Sequence, residues 1–232
     1  MTSNADDFEV FQDLVLRGGG VGHLSIRGAL LNSLAPPWRH AEAKEEALSA
    51  NRGSKGQLLA FERVATDDGL ESATLILWSQ DGDYVVSQIV PLKVKASSLS
   101  HRQHNEILQD FELQIAAPAA VQAGFIVERT TPRESPDDWV SPKTAKALRD
   151  FSRAANKSKG SSHPLDQERW LNFLITAHSD KDSKLDTLKL ARWLFEAENW
   201  NDDKASELVI EYEFGLNLLR AYHSRRPAGS VP

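Results

Sequence analysis

Residues 57–93 read QLLAFERVATDDGLESATLILWSQDGDYVVSQIVPLK, and their pattern decides the fold class. Three strand-like runs, Gln57–Thr66, Ser72–Ser79 and Tyr84–Lys93, are separated by Asp67-Asp68-Gly69 and Gln80-Asp81-Gly82-Asp83. Asp-Gly steps between β-prone runs supply the positive-φ positions that tight hairpins need. The spacing predicts an antiparallel β-meander. Leu75, Leu77 and Val85 alternate with polar or smaller residues, as in a sheet with one covered face.

Working outward, the cover comes next in the chain. Residues 101–117 place His101, His104, Leu108, Phe111 and Ile115 on one stripe at helical spacing. Asn105, Glu106 and Asp110 fall off that stripe and are expected to face solvent. Pro118 should kink or end the helix, with Ala119–Ala123 continuing it to Gly124. Phe125–Thr130 then reads as a fourth strand. Upstream, FEVFQDLVL at 8–16 is apolar but ambiguous between strand and helix, Leu24–Leu34 fits a helix, and WRHAEAKEEALSA at 38–50 has helical composition. Arg52-Gly53-Ser54-Lys55-Gly56 reads as a loop. The order β-β-β-α-β with a covering helix is an α+β layer pair.

Residues 131–140, TPRESPDDWV, carry proline and acid without a period. Beyond them every segment has helical character. Ser141-Pro142 is a helix start, with a serine cap and proline in the first turn. Leu185–Trp200 is apolar on more than one side and is expected to be the central helix. Asp202–His223 offers Ala205, Leu208, Val209, Tyr212, Leu216 and Leu219 as one buried stripe. The expected organisation is a sheet domain over 1–131, a linker over 132–140, an all-helical bundle over 141–223 and a fraying tail over 224–232.

Composition narrows the function classes. The 232-residue chain has no cysteine, which excludes disulfides, thiolate metal sites and a cysteine nucleophile. Its N-terminus, MTSNADDFEV, is acidic and lacks the apolar core of a secretory signal. No apolar run approaches the ~20 residues of a membrane span. These features point to a cytoplasmic protein with no membrane partner. Net charge is −6 overall, but residues 1–140 hold 12 Lys+Arg against 20 Asp+Glu, whereas 141–232 hold 15 against 13. Any nucleic-acid or phosphate contact is therefore expected to be local and to lie in the second part.

The candidate for such a contact is the corner where two helices meet. On helix 142–157, Lys143, Lys146, Arg149, Arg153 and Lys157 fall on one side, opposite Ala145, Leu148 and Phe151. The row runs into Lys157-Ser158-Lys159-Gly160-Ser161-Ser162-His163, directly before a helix that starts at Pro164. Unpaired N–H groups at a helix start favour anions. Arg153, Lys157, Lys159, Ser161, Ser162 and His163 are thus the predicted anion-binding set. Asp166 in the first turn opposes an anion there, and with Arg169 it reads as a structural pair, bonded to each other or to Asn156.

Other motifs are weaker. Gly18-Gly19-Gly20-Val21-Gly22-His23 lacks the Lys-Ser/Thr of a phosphate loop and the spacing of a dinucleotide fingerprint, so it reads as a turn. His101 and His104 lie three apart on one face, with no third ligand to make a metal site. Asp81, Asp83 and Glu106 have no local pattern beyond turn acids. His163 and His178 lie about 22 Å apart along one helix and share no ligand. No cofactor fingerprint and no metal set is present, and no catalytic constellation emerges.

The reading is a non-enzymatic interaction or regulatory protein with a protein partner, in keeping with a bacterial accessory or immunity-type role. Trp139, Trp193 and Trp200 are the expected exposed anchors. The alternatives are an anion or nucleic-acid binder working through the 157–163 corner, and an enzyme whose site only the fold assembles.

Overall fold

The computed structural model describes residues 6–52, 57–67, 69–92, 99–159, 161 and 163–225. The loop expected over 53–56, Asp68 of the first hairpin, Lys93, Gly160, Ser162 and the tail beyond 225 lie outside the described residues. The chain divides into two compact units, Glu9–Pro132 and a second formed by Met1–Phe8 with Arg133–Pro232.

Short strands open and close the first stretch of chain: β1 (Phe8–Glu9) pairs with β8 (Arg133–Glu134). The first unit is α+β. Its elements are β2 (Leu14–Arg17), α1 (His23–Asn32), β3 (Trp38–His40), α2 (Glu42–Arg52), β4 (Leu58–Arg63), β5 (Ala73–Gln80), β6 (Asp83–Pro91), α3 (His101–Phe111), α4 (Ala117–Ala123) and β7 (Ile126–Arg129). The sheet runs β3-β4-β5-β6-β2-β7 with every neighbour antiparallel. The meander β4-β5-β6 is the predicted one. Its second hairpin turns on Asp81 and Gly82, both at positive φ (52° and 92°), which the Asp-Gly step tolerates.

Two strands were not legible as such. β2 sits inside the sheet, paired with β6 and β7, so long-range pairing resolves the ambiguous period of 8–16. Trp38–His40, expected as the first turn of a helix, is instead an edge strand on β4. Trp38 is buried against Phe111 with ring centroids 5.1 Å apart, and the helix begins only at Glu42. Tertiary burial overrides the helical composition of that segment.

The main core lies between one sheet face and the helices α1, α3 and α4, around Leu16, Leu30, Phe61, Leu75, Leu108 and Phe111. The other face is covered too, contrary to the single covered face expected. Ala41 and Leu48 pack with Leu58, Ala60 and Ile76 there, so all six residues of β4 are buried. From α3 the helix passes through a π-type turn, Glu112–Ala116, before Pro118 and ends at Gly124 with φ 80°. The wide turn gives Pro118 room where a regular turn would set its ring against the carbonyl one turn back.

Asn105 and Asp110, expected to be solvated, are structural. Asn105 accepts from Gln12 N–H at 2.8 Å and donates to Val10 C=O at 2.8 Å. Asp110 Oδ2 accepts from Arg63 Nε and from Trp38 Nε1, each at 2.9 Å. Arg63 is fully buried, so Asp110 neutralises a charge that has no water around it.

The second unit is helical: α5 (Pro142–Ala154), α6 (Pro164–Ser179), α7 (Thr187–Arg192) running into a π-type turn at Trp193–Ala197, and α8 (Asp202–Arg225). Aromatic rings form its spine, Phe151–Trp170 at 4.7 Å, Phe151–Trp200 at 5.5 Å and Phe173–Tyr212 at 5.8 Å. Trp139, Trp193 and Trp200, expected as exposed anchors, are all buried, at 2%, 0% and 1% exposure. Within 132–140, expected as a linker, Pro136, Trp139 and Val140 are buried, while Pro132, Arg133, Asp137 and Asp138 are exposed. The segment Leu185–Trp200 is not encased on all sides, since Leu188 and Phe195 are exposed.

Replacing Asp110 with Ala should remove the carboxylate from the buried Arg63 guanidinium, which keeps its bonds to Leu70 C=O and Thr66 Oγ1, and cost about 3 kcal/mol, the lower end of the range for breaking a buried ion pair from one side. Denaturant unfolding of D110A against wild type measures it. A change inside surface-mutation scatter would show that the pair is solvated in solution.

Candidate functional site: an apolar face on α6 and α8

The basic row of α5 is largely consumed inside its own unit. Lys146 pairs with Asp150 at 2.5 Å, Arg149 with Asp6 at 2.8 Å and Asp137 at 2.5 Å, and Arg153 with Asp6 at 3.0 Å. The bond from Arg149 holds the Asp137 carboxyl below the usual carboxylate range. Lys143 is exposed.

Of the predicted anion-binding residues that the structure describes, Lys159 and Ser161 line one hollow and Arg153, Lys157 and His163 bond elsewhere. Arg153 goes to Asp6 and Lys157 Nζ donates to Glu198, both to its carbonyl and, at 3.3 Å, to its carboxylate. Ser161 Oγ donates to Glu211 at 3.0 Å. His163 uses its ring as the cap of α6, Nδ1 accepting from Leu165 N–H at 3.3 Å. Lys159 lines the same hollow as Ser161, Lys204, Glu207 and Glu211, a surface of both signs. Asp166 and Arg169 bond each other at 2.8 Å, with Asp166 also accepting from Asn156 N–H, which is the structural pairing expected.

Glu198 went unnoticed in the sequence. It is 7% exposed and accepts from Ser152 Oγ at 2.7 Å, and Ser152 in turn accepts from Trp200 Nε1 at 2.8 Å. No local pattern marks it, because its partners lie 46 and 41 residues away.

In the first unit, His104 Nε2 lies 3.2 Å from Gln12 C=O and both His101 and His104 pack on Phe11, with centroids at 4.2 and 4.9 Å. Asp83 accepts from Gly18 N–H at 2.9 Å and pairs with Arg17, and Glu106 pairs with Arg102. Among the described residues no group of three or more His, Asp or Glu side chains is placed to hold a metal ion, and no helix is long and apolar enough to cross a membrane. The glycine stretch is a turn: Val21 N–H closes on Gly18 C=O at 2.7 Å, with Gly19 and Gly20 at positive φ.

The distinctive surface is elsewhere. Of the stripe expected from the sequence, α8 buries Ala205, Leu208, Tyr212 and Leu216 and leaves Val209 and Leu219 half-buried. Burial pushes the Tyr212 phenol up to about 12, so it stays a neutral donor to Leu185 C=O. On the opposite side, Ile210, Phe214, Leu218 and Tyr222 recur every fourth residue and are exposed at 68%, 68%, 57% and 52%. Steps of four keep neighbours together on a helix surface and form one continuous ridge. The ridge was visible in the sequence as a second apolar period on a helix that already had one.

α6 adds to it. The two helices run side by side in the same direction, with Phe173 against Tyr212 and His178 against His223. They approach closely where Gly215 leaves space: a Cβ there would lie 2.8 Å from Leu174 Cδ1. On α6, Leu171 and Ile175 are also exposed, at 49% and 56%.

His178 Nε2 and His223 Nδ1 meet at 2.7 Å with ring planes 9° apart. One nitrogen must donate and the other accept, so two charged rings are incompatible with this contact. Desolvation, then the charges of His223 and Arg220, holds His178 below its ordinary 6.5.

No family model matches the chain, and no curated protein or solved structure is significantly similar to it.

A histidine whose folded pKa is depressed stabilises the fold above its unfolded value, and that contribution is lost as pH falls from 6.5 toward the folded value. His104, also held low by burial, acts in the same direction. Urea midpoints should therefore fall between about pH 7.5 and pH 5, and the fall should shrink in His178→Asn. An unchanged pH slope in that variant would mean the pair's proton is not linked to folding.

Proposed function

We propose that this chain is a non-enzymatic, cytoplasmic protein-interaction module that docks a helical segment of another polypeptide on the α6/α8 face. One observation carries the reading: α8 is apolar on two opposite sides, and the core uses only one of them. Four large apolar side chains in a row, each more than half exposed, form the kind of patch that marks interaction sites on soluble proteins. A ridge with i, i+4 spacing is suited to a helix, whose own ridges fit beside it. The engagement of Arg149, Arg153 and Lys157 by acids of the same unit weighs against a polyanion as the principal ligand.

The test compares what the purified protein retains from an extract of its source cells. Wild type, Phe214→Glu with Leu218→Glu, and Lys143→Glu with Lys146→Glu are run side by side at matched circular dichroism. Stoichiometric polypeptides lost with the α8 variant and kept with the α5 variant are the expected result. Identical retention by all three, with no self-association either, would overturn the proposal.

A further inference from the structure

We infer that the helix received on this face is α8 of a second copy of the same chain, packed antiparallel about a twofold axis close to Leu216. The inference rests on the docking role proposed for the α6/α8 face and names its occupant. α8 is complementary in charge to itself when reversed. Its first half carries Asp202, Asp203, Glu207, Glu211 and Glu213 against Lys204, which pairs with Glu207 at 2.5 Å, whereas its second half carries Arg220 and Arg225 and no acid. An antiparallel pair sets the acidic half of each copy beside the basic half of the other and also opposes the two helix dipoles. A parallel pair would stack acid on acid and align the dipoles.

The same arrangement brings the ridge into register. With the axis at Leu216, Ile210 faces the partner's Tyr222, Phe214 faces the partner's Leu218, and Glu207 faces the partner's Arg225. From Ile210 to Tyr222 the apolar ridge runs about 18 Å at the helical rise, flanked at both ends by opposite charges. Such an interface is isologous, the same patch on both copies, which is the commonest way soluble chains associate. Leu216 itself points into the core and is buried at 8% exposure, so the crossing is made by Phe214, Asn217 and Leu218 around it.

Sedimentation equilibrium of the purified full chain at micromolar concentration is the first measurement, with a dimer expected. Phe214→Glu with Leu218→Glu, still folded by circular dichroism, should weaken it about thirty-fold or more, as for an interface hot spot. Glu207→Arg should also weaken it, and adding Arg225→Glu should restore it. Because the chain has no cysteine, orientation is read cleanly from Ile210→Cys and Tyr222→Cys proteins oxidised together. The antiparallel pair gives the mixed 210–222 disulfide in preference to either homodimer. Preferential 210–210 and 222–222 disulfides would overturn it, as would a monomer at every concentration or a dimer untouched by the Phe214/Leu218 variant. A monomer whose extract partner is still lost in that variant would overturn the self-pairing alone and leave the docking face standing.

Discussion

A buried carboxylate holds the helical unit in its observed form. Glu198, at the end of the π-type turn, takes a hydrogen bond from Ser152 on α5 and an ion pair from Lys157, while Ser152 accepts from Trp200. A buried acid without such donors would be prohibitively costly, so these three groups must converge wherever the backbone places Glu198. That requirement fixes the end of α5, seats Trp200 against Phe151 and removes Lys157 from the loop that follows. The surface at 157–163 is what remains after the interior has been satisfied.

Much of the architecture follows from local chemistry that a reader of the sequence can see. The Asp81-Gly82 turn, the serine–proline start of α5 and most of the principal stripe of α8 are short-range signals that appear where expected, whereas the alternation expected over Ser72–Ser79 does not, since Ala73–Leu77 are all buried. What escaped depends on residues far apart in the chain. β2 is a strand because β6 and β7 flank it, and Trp38 leaves its helix because Phe111 and Asp110 receive it. Asn105 and Asp110 are polar without being solvated, because they satisfy backbone and guanidinium groups contributed by distant parts of the chain.

The site shows the same division. A row of cations and a serine-rich loop look like an anion cradle in one dimension, but acids from Asp6, Asp137, Glu198 and Glu211 meet them in three. The tryptophans look like interface anchors and prove to be the filling of the core. In contrast, the ridge on α8 is written in the sequence as an i, i+4 apolar series, Ile210, Phe214, Leu218 and Tyr222, and a helix with two apolar stripes has weak overall asymmetry.

Gly215 sits where α8 meets α6. A Cβ at this position would lie 2.8 Å from Leu174 Cδ1, the mobile end of a side chain, so alanine there asks Leu174 to shift before it asks α8 to move. A bulkier side chain would displace more of Leu174, disturbing the packing beneath the ridge while leaving the exposed side chains themselves unchanged.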